Sequence, residues 1–121
     1  KLVDLLQFEM SIHAEDLSSF VPSFGWEMDP PSESQLNALE EFGIYADNID
    51  NAGKASLYLD RLKKRQLEGL TTPKQIRLLE RYGFRNVGMW QFDQARTMID
   101  RIAASGWRCP AGIRPKEYQP G

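Results

Sequence analysis

The sequence predicts an all-α fold: a leading helix followed by two copies of one helix-loop-helix unit. Three observations carry this. Shifted against itself by 40 positions, the chain aligns without a gap from residue 31 to about residue 106. Each copy opens with a helix-capping sequence and closes its first helix on a glycine. The second half of each copy then repeats apolar residues at the spacing of one helix face.

The alignment pairs Gln35 with Gln75, Leu39 with Leu79, Glu40 with Glu80 and Gly43 with Gly83. Further on, Ala55 pairs with Ala95 and Asp60-Arg61 with Asp100-Arg101. Conservative pairs lie between them, such as Leu36 with Ile76 and Phe42 with Tyr82. Ser32-x-x-Gln35 and Thr72-x-x-Gln75 read as capping boxes, in which the hydroxyl accepts the third amide and the Gln side chain returns to the cap amide. Each such cap contributes about 1 kcal/mol. Pro73 stands at a first helical position, where its missing N–H costs nothing. The first helices are therefore expected over about 33–42 and 73–82, ended by Gly43 and Gly83 in the left-handed conformation.

A loop of about eight residues follows in each copy. Ala52, Ala55, Tyr58, Leu59 and Leu62 then mark a second helix in copy one, and Phe92, Ala95, Met98, Ile99 and Ile102 its counterpart. Asp50 or Asn51 caps the former, and Ser105-Gly106 closes the latter. A unit of about 40 residues encloses little apolar surface alone, so the copies are expected to pack on each other. The organisation is then residues 1–30, a leading helix to about residue 14 plus an extended linker rich in proline; 31–69, the first unit; 70–106, the second; and 107–121, a loose tail. The leading helix, with Leu2, Leu5, Leu6, Glu9, Ile12 and His13, is expected to cover the units or to pack against something outside the chain. Lys1 at the start, with a periodic apolar stretch directly after it, points to a piece cut from a longer protein.

Composition narrows function. With 41% hydrophobic residues the chain has enough apolar side chains for a folded globule. No apolar run nears the roughly 18 residues of a membrane span, and no secretory leader is legible, so a cytoplasmic location without membrane contact is expected. Cys109 and His13 are each the only residue of their kind. That removes a disulfide framework, a Cys-His pair and a multi-histidine metal site. His13 reads as structural or solvated. No phosphate-cradling glycine motif occurs. The chain is expected to be non-catalytic, with no cofactor, metal or small-molecule substrate.

Charge is distributed unevenly. Residues 1–30 hold one basic against six acidic residues, 31–69 five against seven, and 70–121 nine against four. A basic last third in a chain of net charge −2 suits one face to phosphate while the rest stays soluble. Lys74, Arg77 and Arg81 are spaced by three and four, so they share the side of their helix away from Ile76 and Leu79. Arg85 follows in the loop. Trp90 and Trp107 are candidates to stack on an unpaired base, with Arg108 beside the second. The candidate nucleic-acid contacts are thus Lys74, Arg77, Arg81, Arg85, Trp107 and Arg108. The repeated Asp60-Arg61 and Asp100-Arg101 read as ties from the second helix to the first through Glu40 and Glu80.

The stretch TTPKQIRLLERYGFRNVGMWQFDQARTMIDRI resembles accessory units near the C-termini of bacterial and mobile-element DEAD/DEAH-box helicases and some nucleases. Thr72, Lys74-Gln75, Leu79 and Gly83, then Ala95 and Ile99-Asp100, carry the resemblance, which covers roughly 31–106. In copy one Ser34 replaces the lysine, so phosphate contact is implied for copy two only. A helix, a loop and a second helix also resemble the SAP type of DNA-binding unit. The resemblance implies an accessory module that binds DNA for an ATP-dependent motor or nuclease in the remainder of the parent protein. The alternative is an intramolecular or protein-protein docking module, whose leading helix covers a partner without nucleic-acid contact.

Overall fold

The structure, a computed structural model, describes residues 2–121; Lys1, where the first expected segment begins, lies outside them. The fold is all-α. In chain order the helices are α1 (Leu5–Ser11), α2 (Glu15–Ser18), α3 (Glu33–Glu41), α4 (Ala52–Leu67), α5 (Pro73–Arg81) and α6 (Phe92–Ala104). Single 3-10 turns stand at Gly25–Met28 and Val87–Met89. Among the described residues the only extended pairings are two isolated bridges, Val3 with Ile44 and Leu70 with Gln91.

Local chemistry sets the helix starts. Ser32 and Thr72 form complete capping boxes with Gln35 and Gln75, and Asn51 caps α4 by accepting from the Lys54 amide. Gly43 and Gly83 follow α3 and α5 with φ of +92° and +97°, a conformation that any Cβ would strain. Tertiary bonds also recur 40 positions apart. Gln35 donates to the Ala52 carbonyl and Gln75 to the Phe92 carbonyl, at 3.2 and 3.3 Å. Ala52 N–H donates to Asp29 and Phe92 N–H to Gly69, at 2.7 and 2.8 Å. The Gln bonds hold the first helix of each unit against the start of the second, and the other two tie that start to the chain just before the first helix. One bond has no counterpart: Thr71 N–H donates to Trp90, whereas Pro31 has no N–H to give.

The leading segment departs from expectation. Val3 N–H donates to Gly43 and the Val3 carbonyl accepts from Tyr45, which holds residue 3 extended beside the first unit. Asp4 then caps a helix of 7 residues that ends at Ile12, where His13 takes φ of +56° and turns the chain into α2. The buried face of α1 is Leu5, Phe8 and Glu9, while Leu6 and Met10 point outward. It lies across both units. Glu9 accepts from the Tyr58 hydroxyl and lies 3.6 Å from Lys54, both on α4. Ser11 donates to Glu80 on α5. Phe8 is fully buried in an apolar cluster that runs through both units, from Leu39 and Tyr58 to Leu79, Met98 and Ile102.

The last segment is not loose. Tyr118 packs against Phe84 and Trp90, with ring centroids at 5.7 Å from each. Pro110 is buried and Pro115 meets Gly83. Aromatic burial on the second unit's loop fixes the segment, a long-range effect with no local signature.

Candidate nucleic-acid interface

Helix α5 is built to present one polar side. Its Ile76 and Leu79 are buried at 2% and 0% exposure, so residues about half a turn away face solvent. Lys74, Arg77 and Arg81 occupy that side and are exposed, and Arg85 is exposed in the loop beyond. From Lys74 to Arg81 the row advances about 10 Å at the helical rise, the axial length of about three phosphates of one DNA strand. The three differ in their surroundings. The Lys74 stem lies over Gly43 of the first unit, and Arg77 donates to the Gln7 side chain on α1. None of the ion pairs among the described residues includes Lys74, Arg77, Arg81 or Arg85. By contrast, Arg61, Arg96 and Arg114 are paired with Asp16, Asp93 and Glu117.

Trp107 is brought to the far end of the same helix. The Tyr82 hydroxyl, directly after α5, donates to the Trp107 carbonyl at 2.7 Å. Trp107 takes φ of +62° and is 56% exposed, with Arg108 exposed beside it. Trp90 does not join them. It is 4% exposed and meets Phe84 edge-on at 5.6 Å, so it is a core residue and not a stacking platform.

Sequence reasoning misplaced two pairings and missed one residue. Arg61 pairs with Asp16 in the leading segment and not with Glu40, and Glu80 accepts from Ser11 and not from Arg101. Both partners come from the segment outside the repeat, which the repeat logic could not supply. The missed residue is Arg65, only 7% exposed near the end of α4. Its Nη2 donates to the Thr71 carbonyl, the Thr71 hydroxyl and the Gly88 carbonyl, at 3.2, 3.1 and 2.8 Å. Burial, and then the neighbouring charge of Arg61, lowers its pKa, while Glu68 acts the other way. A basic last turn on an amphipathic helix reads as solvated, and only the return of the second unit's loop buries this one.

Among the described residues no group of three His, Cys, Asp or Glu side chains is gathered as for a metal ion, and no helix is long and apolar enough to cross a membrane. The fold and this surface together define an all-α chain with one basic helix side. No family model, curated protein or solved structure matches it, so the helicase resemblance rests on the motif residues alone.

Proposed function

We propose that this chain is a non-catalytic, cytoplasmic accessory module that holds DNA backbone on α5 for an ATP-dependent helicase or nuclease elsewhere in its parent protein. Its two units serve as SAP-like helix-loop-helix elements, and the second makes the contact. One observation carries the reading: at equivalent places the second unit exposes Lys74, Arg77, Arg81 and Arg85 where the first exposes Ser34, Asn37, Glu41 and Tyr45. The same backbone thus shows a cationic side once and a neutral-to-acidic side once. Arginine forks engage phosphate oxygens in a defined geometry, and Trp107 with Arg108 extends the row toward an unpaired base.

Fluorescence anisotropy of labelled single-stranded and duplex DNA, at about 50 and about 200 mM salt, tests this. Three or four duplex phosphate contacts predict affinity lower by about 40- to 150-fold at the higher salt. Lys74→Ala, Arg77→Ala and Arg81→Ala together are expected to weaken all sequences alike and to flatten the salt slope. Absence of binding to either DNA at the lower salt would sink the proposal. It would favour a second reading, in which the exposed Leu6 and Met10 of α1, with Phe24 and Trp26 in the linker, dock a partner surface.

A further inference from the structure

A cavity of about 640 Å³ lies where the two units meet. Its walls come from the end of α3, the last turns of α4, the residue 69–72 connection and the starts of α5 and α6. That volume is in the usual range for a small-ligand site, about 300–1,000 Å³. Arg65 lines it. None of the ion pairs among the described residues includes Arg65, and its three hydrogen bonds all leave from Nη2 toward neutral oxygens. Its Nε is buried without a partner. No carboxylate forms an ion pair with this buried guanidinium, although Glu68 acts on its charge, and an anion brought to the cavity supplies that missing counter-charge without reaching the solvent-closed Nε.

Other lining residues define the rest of that anion. Lys74 adds a second cation, and the starts of α5 and α6 bring the positive ends of two helices of 9 and 13 residues. Phe42 and Phe92 supply apolar rings, suited to a flat base. Glu41 and Asp93 also line the cavity, so it is mixed in charge: they repel a second anionic group and accept from ribose hydroxyls or base amines. We infer that this junction binds one nucleoside monophosphate unit, its phosphate toward Arg65 and Lys74 and its base between Phe42 and Phe92. The unit comes either from a strand or as a free nucleotide. In the strand-borne case the inference rests on the backbone-holding role of α5, because Lys74 belongs to both sites; the cavity itself stands without it.

Amide NMR spectra of the whole chain, titrated with adenosine monophosphate, adenosine or inorganic phosphate at constant ionic strength, provide the test. Adenosine monophosphate is expected to shift the Lys74 and Asp93 amides and to bind at least tenfold more tightly than adenosine. Arg65→Gln is expected to weaken it at least tenfold while the spectrum stays dispersed. Where Arg65→Gln does not fold, Phe92→Ala, at a position 40% exposed, decides by the same tenfold criterion. A 5′-phosphorylated oligonucleotide that shifts the same amides identifies a strand as the source; one that leaves them in place identifies free nucleotide. Arg77→Ala with Arg81→Ala weakens oligonucleotide binding on α5 and leaves adenosine monophosphate affinity unchanged, which separates failure of one site from failure of the other. Unshifted amides, or full affinity in the folded Arg65→Gln variant, overturn the inference.

Discussion

The two helix-loop-helix units share the bonds that join their first and second helices and differ in almost everything laid over them. In the first, residues 20–28 press on the start of α4, where a Cβ at Gly53 would lie 2.9 Å from both Phe20 and Glu27. The equivalent position in the second unit is Asp93, which is exposed. Conversely, the C-terminal segment covers the second unit's loop through Tyr118, while the first unit's loop is paired with Val3. Shared bonds therefore define the scaffold, and the coverings decide which faces remain open for function.

The comparison breaks most severely at α1, which spans both units. Phe8→Ala removes a fully buried ring and is expected to cost about 3–5 kcal/mol in a urea melt. A loss below 1 kcal/mol would show that the units stand without the leading helix. Gly88→Ala comes next. Its Cβ would lie 2.5 Å from the Ser11 carbonyl oxygen, a backbone atom that cannot step aside alone. An expected loss of about 1–3 kcal/mol reports how firmly α1 is seated on the second unit. The equivalent residue of the first unit, Asn48, is exposed, so Asn48→Ala serves as the near-neutral control.

Tyr58→Phe probes the first unit's side of the same clamp. It leaves the Glu9 carboxylate, 4% exposed, without its hydroxyl donor and with Lys54 at 3.6 Å. Thermal or chemical denaturation is expected to show a loss of about 1–3 kcal/mol. Smaller in stability, but sharper for function, is the transfer of charge between units. Ser34→Lys with Asn37→Arg changes exposed positions and is expected to alter stability by less than about 0.5 kcal/mol each. If the basic side of α5 grips DNA, the transfer steepens the salt dependence of binding by about 0.7–0.9 per new phosphate contact. An unchanged slope would mean that cationic exposure on this scaffold is insufficient. The smallest effect is spectroscopic. Tyr45, at the place of Arg85, donates to Asp47 at 2.5 Å, and that bond and charge raise its pKa. In an ultraviolet titration Asp47→Asn is expected to lower its midpoint, because the neutral amide no longer disfavours the phenolate.

Legibility followed the reach of the interactions. Each capping box closes within three residues, and each stop is one glycine with positive φ, so local sequence specifies them. The exposed side of α5 was legible too, because burial of Ile76 and Leu79 dictates where Lys74, Arg77 and Arg81 point. Trp90 was not, since its exposure depends on Tyr118, 28 positions further on.

The sequence by itself determined that the chain is helical, where α3 and α5 start and stop to within a residue, where α4 starts and α6 stops, and which side of α5 is cationic. Periodicity and backbone capping act within one or two turns, so they survive without a partner. Only the tertiary structure decided that α1 bridges the units, that Arg65 is buried beside a cavity and that the C-terminal segment folds back. Each of these depends on groups brought together by packing, such as Glu9 with Tyr58 and Arg65 with Gly88, 49 and 23 positions apart. A contact of that reach is fixed by the burial of the whole apolar cluster, which no window of sequence displays.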